Sequence, residues 1–158
     1  MIKTVPLLTL PADQVQTYWQ TLYMHDKLGD RLGDVVDPTW TDVVNMIVHS
    51  GKSLFHILDD DRVVADIGLQ HYNGASAQAH GSIHPELELR HALPIAREGL
   101  KQLFEITTLA SLWALIPIVH RTSVLVAQKI GFKIRGIAPQ SLPFKGRVED
   151  SYFMTVTK

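Results

Sequence analysis

Hydrophobic positions along the chain follow two different periods. Short runs that are continuously apolar, or that alternate apolar with polar residues, predict β-strands, whereas apolar residues three and four positions apart predict amphipathic helices. Seven runs predict strands: IKTVPLLTL (2–10), SLFHIL (53–58), RVVADIGLQHY (62–72), ASAQAHGSI (75–83), SLWALIP (111–117), FKIRGIA (132–138) and EDSYFMTVTK (149–158).

Four other segments have helical spacing. They run from Pro11 to about Met24, from Thr39 to about His49, from Pro94 to about Thr107, and from Arg121 to a glycine cap at Gly131. The first two should each bury one apolar stripe, made of Val15, Tyr18, Trp19 and Leu22 in the first helix and of Trp40, Val43, Val44, Ile47 and Val48 in the second.

The predicted order is β-α-α-β-β-β-α-β-α-β-β. Turns at 59–61 and at Asn73-Gly74 join three of the strands as consecutive hairpins. Loops are expected at 25–38, which is acidic, and at 139–147. Because no linker, repeat or low-complexity tract interrupts this order, we expect one domain over 1–158, of the α/β (α+β) class.

Composition narrows the class of protein. The chain has 158 residues, 46% hydrophobic and 20% charged, which is typical of one soluble globular domain with a sizeable core. No apolar run reaches the roughly 18 residues of a membrane span, and the N-terminal segment does not resemble a secretory signal, so we expect a cytoplasmic protein with no membrane partner. The absence of cysteine excludes thiol catalysis, disulfides and thiolate metal sites.

Charge is unevenly distributed although the net charge is only -1. Residues 1–61 contain nine acidic and four basic side chains, whereas residues 90–158 contain ten basic and four acidic ones. Residues 118–148 contain six basic side chains and no acidic one. The basic half could face an anionic ligand, or it could be ordinary solvated surface.

The C-terminal third carries a resemblance to a known family. RTSVLVAQKIGFKIRG (121–136) resembles the C-terminal signature of the GNAT superfamily of N-acetyltransferases, in which a helix ends in Gly-Phe and a strand follows. KGRVEDSYFMTV (145–156) is similar to the ending of the branch that acetylates protein N-termini, including those of ribosomal proteins. The run ALIP…HRTS…KIGF also looks like divergent members found among bacteriophages. The resemblance implies a GNAT fold, with a mixed, mostly antiparallel sheet of about seven strands flanked by about four helices.

The same resemblance implies acetyl-CoA as co-substrate. The family's pyrophosphate pattern has Arg or Gln, two residues, Gly, one residue, then Gly or Ala, and it falls on HALPIA (91–96). Pro94, which has no amide hydrogen, stands at the central glycine. The residues expected to contact CoA are Ile83, His84, His91, Ala92, Leu93, Ala96, Arg97, His120 and Ser123. The alternative interpretation is an ordinary strand-to-helix connection in which Pro94 starts the helix.

Acetyl transfer to an amine needs a base for the ammonium proton and an acid for the departing thiolate. The family's carboxylate on the fourth strand corresponds to Gln78, which cannot act as a base, so His80 is the candidate base. The family's acidic tyrosine corresponds to Ala127, and the serine of the N-terminal-acetylating branch corresponds to Ser123, the candidate acid. Both candidates have structural alternatives, His80 as a hydrogen-bonded strand residue and Ser123 as a helix cap.

Three functions follow from these observations. The first is an N-acetyltransferase that acts on a protein N-terminus or a small amine by direct attack. The second is a GNAT-fold binding or structural protein without catalysis, of the phage-encoded kind. The third, a nucleic-acid binder, lacks a recognised reader motif, and the histidines lack metal-site spacing, so neither a nucleic-acid partner nor a metal is expected. The acceptor stays open, as does assembly into a homodimer.

Overall fold

The computed structural model describes residues 1–25, 39–50, 53–144 and 147–158. The predicted acidic loop at 25–38 therefore lies outside the described residues apart from His25. The described residues form seven strands and four helices: β1 (Ile2–Pro6), α1 (Ala12–Met24), α2 (Trp40–Ser50), β2 (Leu54–Asp59), β3 (Arg62–Gln70), β4 (Ser76–Ile83), α3 (Leu89–Ile106), β5 (Ser111–Pro117), α4 (Arg121–Ile130), β6 (Lys133–Phe144) and β7 (Arg147–Thr157).

This order confirms the predicted succession of elements, and the largest differences from the predicted ranges occur at three places. The first strand ends at Pro6, after which Leu7–Thr9 form one turn of 3-10 helix. The third helix begins at Leu89, five residues before Pro94. The predicted loop at 139–147 is largely strand, because β6 and β7 continue as a hairpin with a register shift between Ala138 and Leu142.

The seven strands form one sheet in the order β1-β2-β3-β4-β5-β7-β6. Neighbouring strands are antiparallel, except that β4 and β5 are parallel. Two turns fix the hairpins as predicted. In the first, Asp60 and Asp61 have positive φ between the paired residues Asp59 and Arg62. In the second, Asn73 accepts hydrogen bonds from the N–H groups of Ala75 and Ser76, and Gly74 has a φ of 90° that favours glycine. The mixed, mostly antiparallel sheet of the sequence-based expectation is confirmed.

Within the described ranges, the buried hydrophobic residues form two clusters. The larger joins α3 and α4 to the sheet through residues such as Ile57, Leu103, Leu112 and Met154. The smaller joins α1 to β2 and β3 and contains Tyr18, Trp19, Leu22, Val43, Leu54, Leu58 and Val63.

The predicted stripe of α2 is only partly buried. Val43 is fully buried and Trp40 packs against the smaller cluster, but the side chains of Val44 and Val48 are 41% and 72% exposed. The expectation that all of this stripe is covered was therefore wrong for these two valines, because α2 meets the cluster along a narrower face than the spacing suggested.

Helix α3 lies across the sheet and is fastened to the far edge strand. Thr4 Oγ1 donates to the carbonyl of Gly99 at 2.8 Å, and the Gln102 amide exchanges hydrogen bonds with the main chain of Thr4 and Ile2. At this crossing a methyl group on Gly99 would lie 2.5 Å from two carbons of Ile57. Glycine is therefore required for the helix to approach the sheet this closely.

We expect Gly99→Ala to lower the free energy of unfolding by about 1–3 kcal/mol, because the added carbon must displace Ile57 in a packed core. Gly136→Ala is the matched control, since no atom lies within 4 Å of a methyl group there and its φ is not in the left-handed region. Urea unfolding of the three proteins measures the effect. Equal stability of Gly99→Ala and the parent chain would contradict the close helix–sheet contact.

Candidate active site

The two parallel strands at the centre of the sheet pair over three residues only. The ladder joins Ser76 to Ser111, Ala77 to Leu112 and Gln78 to Trp113, and then stops. β4 continues along β3 to Ile83, whereas β5 continues along β7 to Pro117. The strands therefore diverge, and an opening lies between residues 79–83 and 114–117, which we call the β4–β5 cleft.

Main-chain groups line the β4 side of this cleft. The N–H of His84 donates to the carbonyl of Val64 in β3 at 2.7 Å. Because peptide groups alternate in direction along a strand, those of Ile83 and Gly81 face away from β3 and toward the cleft. Gly81 is required here, since a methyl group would lie 2.6 Å from the carbonyl oxygen of Asp66.

Two helices begin at the open end of the cleft. β4 leads into α3 and β5 leads into α4, and because the strands are parallel both helix N-termini lie at the same edge of the sheet. The carbonyl of Glu88 accepts the N–H groups of His91 and Ala92, which leaves the amides of Leu89 and Arg90 in the first turn of α3 outside the helical bonding pattern. Two positive helix ends at one opening favour an anionic ligand.

The segment HALPIA lies within α3 and not in a loop before it. Ala92 and Ala96 are buried against the sheet, Leu93 is half-buried, and His91 and Arg97 are exposed. Pro94 is the sixth helical residue, so its missing N–H is not one of the free donors of the first turn. The expectation that Pro94 starts the helix was wrong, because the helix forms one turn earlier and accommodates proline in its interior.

A carboxylate stands beside the same helix end. Glu88 Oε2 lies 2.5 Å from Arg90 Nε and 4.0 Å from His91 Nδ1, and all three side chains are exposed. Arg90 and His91 could contribute positive charge to an anion at this position, and Glu88 opposes it.

His120 and Ser123 lie together at the start of α4. Ser123 Oγ is 2.8 Å from His120 Nδ1, and either atom can donate, depending on the tautomer of the imidazole. No side chain caps the N-terminus of α4, so Ser123 is engaged by the ring of His120 and does not act as the cap that the alternative interpretation assumed. At the other end of α4, Gly131 has a φ of 118°, which confirms the predicted glycine cap.

His80 and Gln78 lie on β4, near where the strands diverge. His80 is half-buried opposite Gly68 of β3, and its Nε2 is shielded from solvent. Gln78 is buried opposite Trp113, the last pair of the parallel ladder.

Ile83 and His84 point to different sides. The side chain of Ile83 packs against the larger hydrophobic cluster, whereas the ring of His84 lies 5.8 Å from the ring of Tyr18 in α1. Burial lowers the pKa of His84 below its ordinary value and the charge of Arg62 adds to the effect, while Glu86 acts in the opposite direction. The structure thus brings His84 to α1 and not to the cleft.

A buried polar group that the sequence reasoning did not single out lies under α1. The hydroxyl of Tyr18 donates to Asp66 Oδ1 at 2.9 Å, and the ring of His56 meets the ring of Tyr18 edge-on at 5.2 Å. Asp66 and His56 are 1% and 0% exposed. One signal was available, because Asp66 is an acidic residue inside the otherwise apolar strand RVVADIGLQ, and buried carboxylates need partners.

Two classes of site are missing from the part of the chain that the structure describes. No group of three or more histidine and acidic side chains there could hold a metal ion. No helix among those residues is long and apolar enough to cross a membrane.

Comparison with known proteins shows the fold. No protein-family model and no curated protein matches the sequence. Among solved structures, a GNAT-family acetyltransferase from Bacillus anthracis is 17% identical with a TM-score of 0.75, covering 99% of this chain and 94% of that one. Spermidine N-acetyltransferase from Vibrio cholerae, in complex with CoA and spermine, is 14% identical with a TM-score of 0.74, covering 99% and 95%. Mycobacterium smegmatis RimJ, in complex with CoA-disulfide, is 16% identical with a TM-score of 0.74, covering 99% and 81%. The chain therefore has the GNAT acetyltransferase fold.

We expect Pro94→Ala to raise the free energy of unfolding by roughly 1–3 kcal/mol and to leave the affinity for CoA unchanged. Alanine restores a donor for the carbonyl four residues earlier, in the interior of α3 and outside its first turn. Thermal unfolding and calorimetric titration of CoA measure the two effects. A change in CoA affinity without a change in stability would instead place Pro94 in the ligand-binding segment.

Proposed function

We propose that the protein is an N-acetyltransferase that moves an acetyl group from acetyl-CoA to a primary amine. The observation that carries the proposal is the β4–β5 cleft with two helix N-termini at its open end. A cleft between parallel strands offers unpaired main-chain groups to an extended ligand, and the helix ends offer N–H groups and positive potential to phosphates. The GNAT fold of the chain supports this assignment.

The residues present fit a CoA thioester with a modified set of contacts. The amides of Leu89 and Arg90, together with the side chains of His91 and Arg97, would hold the pyrophosphate at α3. Ile83 would contribute its main chain, and His120 and Ser123 would form the opposite wall at α4. The small side chains of Ala92 and Ala96 are buried between α3 and the sheet, and Leu93 is half-buried on the same helix. These three residues therefore set how closely α3 approaches the sheet. His84 is left out, since its amide and ring are engaged by β3 and α1.

Two protons move during acetyl transfer, and one wall of the cleft would handle each of them. The amine nitrogen attacks the thioester carbonyl, a C–N bond forms and the C–S bond breaks. His80, directly or through a water, takes the proton that the ammonium group loses, and Ser123 gives a proton to the departing sulfur. When His120 Nδ1 donates to Ser123 Oγ, the serine hydrogen is free to point away from the ring, and His120 can replace the proton that the serine gives up.

The amine that accepts the acetyl group is less narrowly defined than the acetyl donor. The sequence resemblance favours a protein N-terminus or a small amine, and spermine accompanies CoA in the Vibrio cholerae structure. A GNAT-fold binding protein without catalysis is the second candidate, and one observation favours it: the carboxylate of Glu88 beside the first turn of α3, where phosphate would bind.

Titration of acetyl-CoA separates the two candidates. We expect saturable binding and a melting temperature that rises with ligand concentration. Glu88→Gln removes the opposing charge and should strengthen binding roughly two- to fivefold, whereas Glu105→Gln, at the far end of the same helix, should leave it unchanged. Absence of binding at millimolar acetyl-CoA, in both the parent chain and Glu88→Gln, would exclude the acetyltransferase and leave the binding protein.

Ser123→Ala should lower kcat about a hundredfold while the Kd for CoA changes little, because the serine acts on the leaving sulfur and not on the bound ground state. Thr122→Ala is the matched control, since Thr122 is the exposed neighbour in the same helical turn and should keep full activity. Thiol release from acetyl-CoA, measured with a panel of amines, gives the rates. Similar losses in both variants would show that the change disturbs the helix rather than a proton donor.

A further inference from the structure

The sheet face that carries His80 continues past the β4–β5 cleft onto the strands of the other half. Ala79 and Ile83 of β4 pack in the larger cluster with α3, so the side chain of His80 points to the opposite face, on which α1 lies. Leu112 and Met154 also belong to the larger cluster, so the odd-numbered residues of β5 and β7 share the face of His80. An amine that reaches the candidate base therefore meets these residues across the cleft.

Apolar and aromatic side chains cover this face on β5 and β7. Leu115 pairs with Phe153, and the ring of Phe153 lies 6.0 Å from the ring of Trp113. The ring of His71, just after the end of β3, lies 6.2 Å from that of Trp113 and nearly parallel to it. Phe153 is 37% exposed, and Trp113 and Leu115 are half-buried. This surface can therefore bury the apolar body of a ligand.

Two cations lie beyond the aromatic rings on the same face. Lys133 of β6 pairs with Thr155 of β7, and Arg135 donates its Nε hydrogen to Thr155 Oγ1 at 2.9 Å. Both basic side chains are exposed. Because β7 lies between β5 and β6, the main chain of Arg135 is two strand spacings, or roughly 10 Å, from β5.

Acidic side chains are scarce on these three strands. Residues 111–144 contain no aspartate or glutamate. Those of β7 are Glu149 and Asp150, which precede Ser151 and lie at the opposite end of the strand from the two cations. The part of the face that holds the rings is therefore bordered by positive charge.

The strands on the other side of the cleft add little negative charge at the candidate base. Gln78, where the family resemblance implies a carboxylate, is neutral, and Asp66 on the same face of β3 is only 1% exposed. Asp13, Asp61 and Glu86 line a depression at the first turn of α1, but the candidate base is not part of that lining. A polycationic amine would thus find few exposed partners along this face.

We propose that the acceptor is an amine with an apolar, preferably aromatic, body and a negatively charged far end, and not a polyamine. This assignment rests on the acetyl transfer proposed above, which places the amine nitrogen at His80. The body would lie on Leu115 and Phe153, and the anionic end would reach Arg135 and Lys133. Burial of the body would supply most of the affinity, and the two cations would discriminate against a positively charged far end.

The experiment compares three amines that differ in these properties: para-carboxyphenethylamine is aromatic and anionic, phenethylamine is aromatic only, and spermidine is a polycation. Calorimetry on the full chain in the presence of CoA measures binding without turnover. We expect para-carboxyphenethylamine to bind about two- to fivefold more tightly than phenethylamine and at least tenfold more tightly than spermidine. Spermidine binding of equal strength, or no binding of para-carboxyphenethylamine, would overturn the assignment.

Thiol release from acetyl-CoA with the same amines separates this assignment from the acetyl transfer itself. Preferential binding of para-carboxyphenethylamine without thiol release would support the acceptor class and contradict acetyl transfer. Faster thiol release with spermidine than with either aromatic amine would support acetyl transfer and overturn the acceptor class.

Variants test the two contacts. Arg135→Gln should bring para-carboxyphenethylamine and phenethylamine to equal affinity, whereas Lys129→Gln, exposed in the last turn of α4, should preserve their difference. Phe153→Thr should weaken both aromatic amines roughly fivefold. Ile137→Thr is its matched control, since Ile137 is 60% exposed and pairs with Tyr152 on the opposite face. Arg135 is exposed, so Arg135→Gln should fold even if Phe153→Thr does not, and an unchanged preference in Arg135→Gln would overturn the proposed contact with the anionic end.

Discussion

The short parallel ladder between β4 and β5 is the constraint on which the rest of the structure depends. Three residue pairs join two antiparallel sheets, one made of β1 to β4 and the other of β5 to β7. Beyond the parallel ladder, each central strand stays hydrogen-bonded on its other edge: β4 pairs with β3 as far as Ile83, and β5 pairs with β7 as far as Pro117. The sheet therefore opens in its middle while both strands remain paired, and the opening has main-chain groups along one wall.

Helix α3 compensates for the weak junction. Its apolar face contacts residues of both halves, with Leu103 and Phe104 in the same cluster as Ile57 on one side and Leu112 on the other. Its carbonyl at Gly99 and its amide at Gln102 also bind β1 at the sheet edge. These contacts fix the second half of α3, and the buried Ala92 and Ala96 hold its first half against the sheet beside the cleft. The stability of the fold and the preorganisation of the candidate phosphate site thus have one common origin.

The sequence predicted most of the fold because its signals were local. Strand alternation, the turn at Asn73 and Gly74, and the cap at Gly131 each depend on a few neighbouring residues, and the structure has all of them. The start of α3 was misplaced because proline is favoured in a first turn, and only the packing of Ala92 and Ala96 on the sheet shows that the helix extends beyond it. Tertiary contact overrode local preference at that point.

The candidate site was harder to predict because function depends on the side to which each residue points. His120 and Ser123 are three residues apart on one helical turn, so their pairing follows from helix geometry. Ile83 and His84 are adjacent in sequence, but the side chain of Ile83 enters the core under α3, whereas that of His84 reaches Tyr18 under α1. Because side chains of a strand alternate between its faces, these two neighbours at the end of β4 contact different helices. The family pattern assigned both residues to the same ligand, and only the tertiary contacts of His84 with α1 and β3 separate them.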